Sequence, residues 1–194
     1  MCEAYMRKNK NDINRCTRFK ATPPYRESEV SFVNPTTKNH LSGTLTVPAG
    51  EGPFPAVVLL SDSGPQGRDA DVNGYRMFGQ IADYLSRHGV AVLRFDDRGV
   101  GRSGGTYASA TTADFLTDAQ AALAFVRTRK LVAAHRVGLL GHGEGANVAL
   151  LTAAAPGRAP AFVVSLAGYG QPGDEVLLRQ QGEIMRLLGL TLPR

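Results

Sequence analysis

The stretch RVGLLGHGEGANVALL, Arg136–Leu151, decides how the chain folds. It begins with an apolar run of the kind expected for a strand buried on both faces. A glycine-rich turn, Gly141–Gly145, comes next, and an apolar segment of helical character follows it. Glycines at alternate positions of the turn allow a strand and a helix to approach closely. The sequence therefore predicts a buried strand, a sharp turn and a helix packed back on that strand.

The turn has the layout of a nucleophile elbow, the G-x-S-x-G motif of hydrolytic enzymes. Gly141 and Gly145 occupy the outer positions, where small residues are needed. Position 143, which the motif gives to a nucleophilic serine, holds glycine. His142 and Glu144 fill the variable positions, and we interpret His142 as a neighbour in the turn, not as a catalytic base. The alternative interpretation is an ordinary glycine-rich connection between a strand and a helix.

The rest of the chain supplies the elements around this turn. Segments of alternating polarity predict an antiparallel hairpin of Glu29–Asn34 and Leu41–Val47. Apolar runs predict four buried strands: Ala56–Ser61, Val90–Phe95, RVGLLG and AFVVSLA. Helical spacing predicts four helices. The first is Tyr75–His88, and the second runs from a capping box at Thr111 and Asp114 to about Lys130. The third follows the elbow-like turn, and the fourth is Asp174–Leu190. This order predicts an α/β fold, with a β-hairpin followed by a mostly parallel sheet and helices on both faces.

Charge divides the chain into a leader and one domain. Residues 1–26 carry seven Lys or Arg against two acids, whereas the remainder carries 15 of each. We predict a basic, disordered leader at 1–26 and a single α/β domain at 27–194, because 194 residues suit one domain. Residues 172–194 are interpreted as the start of a cap-like helical region.

Composition excludes several classes of function. No apolar run approaches the ~20 residues that span a bilayer, and the N-terminus lacks the apolar core of a signal peptide, so we predict no membrane association and a cytoplasmic location. The basic excess lies on the leader without an aromatic platform, and we predict no nucleic-acid partner. Cys2 and Cys16 lie in the leader at a spacing that suits no metal site, and we predict neither a disulfide nor a metal.

A glycine motif after the second buried strand offers a different function. Gly99–Gly104 matches G-x-G-x-x-G, the fingerprint of dinucleotide-binding proteins. That fingerprint needs its third glycine at the mouth of a helix, but the next predicted helix begins roughly eight residues later. The following strand also lacks an acid at its end that could hold a ribose. A tight turn explains these glycines better, and nucleotide binding is kept only as the weaker alternative.

Three segments together resemble the α/β-hydrolase family, and more narrowly bacterial serine esterases and peptidase-like hydrolases. Ser61–Asp69 is similar to the family's SGSGPQDRD-type loop. Arg94–Ser103 resembles its D-x-R-G-x-G-x-S turn, and Gly141–Gly145 resembles its G-H-S-E-G elbow. The resemblance runs from about Pro55 to Leu190.

The resemblance implies a reaction and a set of site residues. Complete relatives would hydrolyse carboxylic esters or related acyl bonds through a Ser-His-Asp triad, with a small acyl substrate and no cofactor. The nucleophile would stand at position 143, where this chain has Gly143. The oxyanion would accept hydrogen bonds from the N–H of Glu144 and from the N–H of Ser63.

The chain departs from this pattern in ways that predict inactivity. Gly143 offers no nucleophile, and Asp62 places a carboxylate where the family loop has glycine. In this fold the triad acid and base follow the elbow, on strands for which no sequence is present. We hypothesise a truncated, catalytically silent family member that self-associates through the exposed edge of AFVVSLA and the C-terminal helix. A binding or interaction module on the same fold is the alternative.

Overall fold

The computed structural model describes residues 23–157 and 159–190. Cys2, Cys16 and most of the predicted leader therefore lie outside the described residues. In the described part, the strands are β1 Tyr25–Val33, β2 His40–Pro48, β3 Phe54–Leu60, β4 Asp71–Val72, β5 Tyr75–Arg76, β6 Ala91–Phe95, β7 Val132–His142 and β8 Val163–Leu166. The helices are α1 Met77–Arg87, α2 Thr112–Arg127, α3 Glu144–Ala154 and α4 Gly173–Leu187.

Six strands form one sheet in the order β1-β2-β6-β3-β7-β8. β1, β2 and β6 pair antiparallel, whereas β6, β3, β7 and β8 run parallel. Leu60 at the end of β3 pairs with Gly141 near the end of β7. The loops that leave these two central strands are consequently neighbours at one edge of the sheet. The predicted α/β class is confirmed, and this edge is where the candidate site lies.

Helices cover both faces of the sheet, because side chains alternate along each strand. On β3, Val58 and Leu60 belong to a core formed with α2 and α3. Val57 and Leu59 belong to a second core formed with α1. The predicted capping box is present at the start of α2, where the side chain of Thr111 accepts a hydrogen bond from the N–H of Asp114.

Two boundaries differ from the sequence prediction. β1 begins at Tyr25, inside the segment assigned to the leader, and pairs with the end of β2 at Pro48. Tyr75–Arg76 was predicted as the start of a helix but forms β5, paired with β4. Asn73 and Gly74, both with positive φ, make the connecting turn, and Asn-Gly is a preferred two-residue hairpin loop. The local turn chemistry therefore overrides the helical spacing that follows it.

The prediction that AFVVSLA forms a buried strand is wrong, whereas its second interpretation, as an exposed strand edge, agrees with the structure. β8 is the edge strand of the sheet, and Phe162 and Val164 are 41% and 38% exposed. Helix α4 begins one residue earlier than predicted and ends at Leu187. Of its apolar side chains only Val176 is buried, whereas Leu178 is 69% exposed. This end of the described fold thus presents a strand edge and an apolar helix face to solvent.

Among the residues that the structure describes, no helix combines the length and the apolar character required to cross a membrane.

Candidate active site

Gly143 stands at the sharp turn between β7 and α3. Its backbone angles are φ 53° and ψ −117°, in the region of positive φ that side chains rarely adopt. Its N–H donates to the carbonyl oxygen of Leu166 at 2.9 Å, and its own carbonyl accepts from Ala146 N–H at 3.1 Å. The geometry is that of a sharp strand-to-helix turn. Glycine adopts these backbone angles without strain, whereas another residue would carry a strain energy of about 1–3 kcal/mol.

The loop after β3 brings Asp62 and Ser63 to this turn. Asp62 Oδ1 accepts hydrogen bonds from the N–H of Ser63 at 2.7 Å and the N–H of Glu144 at 2.9 Å. Ser63 and Glu144 are the residues whose N–H groups the resemblance assigns to an oxyanion. The structure therefore brings all three predicted site residues, Gly143, Glu144 and Ser63, next to one carboxylate oxygen, Asp62 Oδ1.

His142 lies beside the same carboxylate. Its Nδ1 is 3.7 Å from Asp62 Oδ2, and both side chains are about one-third exposed, at 31% and 29%. An imidazole at this distance forms an ion pair with Asp62 only when it is protonated. The ring faces the loop after β3.

Two residues that the sequence did not single out hold the site in shape. Tyr107 Oη accepts the N–H of Gly64 at 2.7 Å, which fixes the loop after β3. Thr112 Oγ1, at the start of α2, donates to Glu144 Oε1 at 3.0 Å. Both residues come from the region between β6 and α2, and no motif in the sequence marks them. The nearest signal in the sequence is the predicted helix cap at Thr111, which is the neighbour of Thr112.

Asp97 is a partly buried acid immediately behind the site. Ser61 Oγ donates to its Oδ1 at 2.7 Å and Gln66 N–H to its Oδ2 at 2.9 Å. Burial raises the pKa of Asp97 to about 6, although these two hydrogen bonds oppose the change. Asp97, Glu144 and Tyr107 line a small pocket of about 30 Å³.

We expect the fold to become more stable as the pH is lowered from 7 to 5. The folded chain holds the Asp97 proton up to about pH 6, whereas the unfolded chain releases it near 4. The resulting stabilisation is present at low pH and is lost as the pH rises through 6, with a gain of about 1 kcal/mol at pH 5. Denaturant unfolding at both pH values measures it. In Asp97→Asn the gain should disappear, and an unchanged pH dependence in this variant would refute the assignment.

None of the other three histidines is placed to serve as a base at position 143. His135 lies in the first half of β7, away from the turn at its carboxyl end. His88 ends α1, where its Nδ1 bonds Tyr84. His40 begins β2, three strands from β7 in the sheet, which is about 14 Å at ordinary strand spacing.

An open groove runs from the turn along α3 and α4. Its volume is about 760 Å³, and it is lined by Ser63 and Glu144 at one end and by Leu150, Tyr169 and Val176 farther along. Within residues 23–157 and 159–190, no group of three or more His, Cys, Asp or Glu is arranged to hold a metal ion.

The Gly99–Gly104 loop does not have the geometry of a dinucleotide site. α2 begins only at Thr112, so the third glycine does not stand at a helix N-terminus. Instead, Gly101 has a φ of 56° and passes close to Asp96, and a Cβ there would meet the Asp96 carboxylate. The glycines of this loop serve a tight turn.

Comparisons with known proteins agree with this geometry. Residues 73–194 match the family described as serine aminopeptidase, S33. Over 170 residues the chain is 35% identical to esterase EstD of Thermotoga maritima, covering 87% of this chain and 40% of the relative. The chain therefore spans less than half the length of this relative.

Solved structures share the same architecture. The α/β hydrolase GrgF of Penicillium superposes with a TM-score of 0.63 at 25% identity, over 84% of this chain and 56% of that protein. An esterase of Pyrococcus furiosus superposes with a TM-score of 0.56 at 23% identity, over 70% of this chain and 49% of the other. The second likeness shows the fold alone.

Proposed function

Because the chain belongs to the serine aminopeptidase S33 family and has the α/β-hydrolase fold, we propose that it carries the elbow of a serine hydrolase without triad-type activity. The observation that supports this most strongly is the turn itself. Gly143 has the position and the strained backbone of an elbow nucleophile, and it has no side chain. The complete relatives, by resemblance, cleave carboxylic esters or related acyl bonds.

The missing hydroxyl removes the first chemical step. In a serine hydrolase the nucleophile oxygen attacks the acyl carbonyl, a base takes its proton, and two N–H groups stabilise the tetrahedral oxyanion. Here Ser63 and Glu144 would supply those N–H groups, but Asp62 already accepts both bonds. Without a nucleophile, at most a residual ~10³–10⁴-fold effect from binding and the oxyanion site is expected, and the occupied N–H groups reduce it further.

Ester hydrolysis tests this proposal directly. We expect p-nitrophenyl acetate to be hydrolysed by the folded chain no faster than by the same chain unfolded in urea, because position 143 has no nucleophile. The comparison removes the contribution of surface Lys and His side chains, which react slowly with this ester in any protein. Saturable turnover by the folded chain that is lost on unfolding would contradict the proposal.

A second function, that of an interaction module, is supported by the exposed apolar surfaces. Within the described residues the outer edge of β8 pairs with no other strand, and Leu178 and Leu187 of α4 are 69% and 72% exposed. We propose a second copy of this chain as the partner, since two such strand edges complement each other through backbone hydrogen bonds.

Sedimentation velocity measures this association. We expect a dimer that forms at micromolar concentration. Leu178→Glu should raise its dissociation constant at least about tenfold, because burying an unpaired charge in the contact is unfavourable. The matched change Arg179→Glu alters charge on the same helix without touching the apolar face. A monomer at all concentrations would refute the proposal.

A further inference from the structure

The carboxylate of Asp62 occupies the place of two missing groups at once. Its Oδ1 takes the hydrogen bonds from Ser63 and Glu144 that an oxyanion would take. The same carboxylate fills the space where a side chain on residue 143 would begin, since a Cβ built there would overlap both its Oδ1 and its Cγ. A side chain at position 143 and an Asp62 carboxylate in this position therefore exclude each other.

One of the two hydrogen bonds to Asp62 Oδ1 comes from a helix end. The N–H of Glu144 belongs to the first turn of α3, where the helix dipole stabilises anions. Hydrogen bonds to an ionised carboxylate are roughly twice as strong as neutral ones. Since Asp62 lies on the loop after β3 and Glu144 follows β7, the bond also joins two segments that are 82 residues apart.

We infer that Asp62 is a built-in occupant of the oxyanion site, and that Gly143 is the residue that makes room for it. This inference rests on the proposed function only for the assignment of the two N–H groups. The two departures from the family pattern, glycine at position 143 and aspartate at position 62, are therefore coupled. Restoring serine at position 143 alone does not rebuild the site, because the serine and the Asp62 carboxylate compete for the same space. Asp62→Gly is required with it.

A double-mutant cycle on stability tests the coupling without any need for activity. The four proteins are the unmodified chain, Gly143→Ala, Asp62→Gly and the double variant, each unfolded in denaturant. Backbone strain from alanine at a φ of 53° is present in both backgrounds and cancels. The alanine should lower the folding equilibrium constant about tenfold more when Asp62 is present, because there it also expels the carboxylate from its hydrogen bonds. Equal losses in the two backgrounds would overturn the inference.

Amide hydrogen exchange gives a second test in a variant that keeps the elbow intact. In Asp62→Ala the Glu144 amide should exchange at least about tenfold faster, as expected when its acceptor is removed. The Ala146 amide, which bonds the Gly143 carbonyl at 3.1 Å, serves as the control and should not change. An unchanged Glu144 amide would overturn the inference. Hydrolytic turnover by the unmodified chain would instead refute the proposed function and leave both of these results standing.

Discussion

Gly141→Ala is expected to destabilise the fold by at least about 3 kcal/mol, above the usual cost of overpacking. A Cβ on residue 141 would overlap the carbonyl of Gly145 and the N–H group of Ala146. These are backbone atoms of the first turn of α3, so no side chain can rotate away to relieve the contact. The strand and the helix would have to separate, which would open the core that Val148 and Ala149 form with the sheet.

Unfolding in urea followed by far-UV circular dichroism measures this loss, since the chain contains no Trp. Gly182→Ala is the matched control, because a Cβ at this position of α4 meets no atom within 4 Å. It should be neutral or stabilising by up to about 1 kcal/mol through its higher helix propensity. A loss for Gly141→Ala no larger than the change in this control would show that strand and helix are not in close contact.

Asp118→Ala is the second change with a large expected effect. Asp118 is 2% exposed and accepts hydrogen bonds from Arg98 Nε at 2.8 Å and from Asn34 Nδ2 at 2.6 Å. Its removal takes away the nearest carboxylate of the buried Arg98 guanidinium, which keeps Asp114 Oδ1 at 3.2 Å. We therefore expect a cost of about 3 kcal/mol, the lower end of the range for breaking a buried ion pair. These contacts join α2, the loop after β6 and the β1–β2 hairpin, so the loss would extend to the framework behind the site.

Thermal or urea unfolding checks this expectation against an exposed ion pair of similar composition. Glu183 and Arg186 form a salt bridge on the surface of α4, with side chains that are 55% and 70% exposed. Glu183→Ala should change stability little, because exposed pairs are screened by solvent. If the two variants lose the same free energy of unfolding, the buried Asp118 pair stabilises the fold no more than the exposed pair, and the expectation is wrong.

The sequence predicts the elements of this fold well wherever a periodic pattern and a local stop signal agree. The capping box at Thr111 and Asp114 marks the start of α2 within one residue. The turn between strand and helix is predicted correctly because its glycines lie where backbone atoms approach closely. Gly141 and Gly145 both lack room for a Cβ.

Burial at the edge of the sheet could not be predicted from the apolar composition of the strand. The run AFVVSLA is as apolar as the central strands, but its exposure depends on which elements lie beside it. Val164 is 38% exposed because β8 has a neighbour on one side only in the described chain. The β4–β5 hairpin was missed for a different reason. The helical spacing after Tyr75 led to the assignment of a helix, and the turn signal of Asn73-Gly74 was not used.

The position of the Asp62 side chain is the part of the site that required the structure. The family resemblance places the Asp62 carboxylate near the point where an oxyanion would develop. It leaves open whether the side chain points towards the turn or away from it. The answer depends on the Glu144 N–H, which approaches from 82 residues later in the chain. Local propensity carries no information about a contact of this kind.

The measurement that tests the central claim most directly is reaction with a fluorophosphonate, followed by intact-mass analysis and peptide mapping. Such probes bind covalently to an activated serine at an elbow. We predict no adduct on the unmodified chain, because position 143 has no hydroxyl. A stoichiometric adduct, mapped to Ser61 or Ser63 and lost on unfolding, would show that the chain has a working nucleophile and would contradict the account.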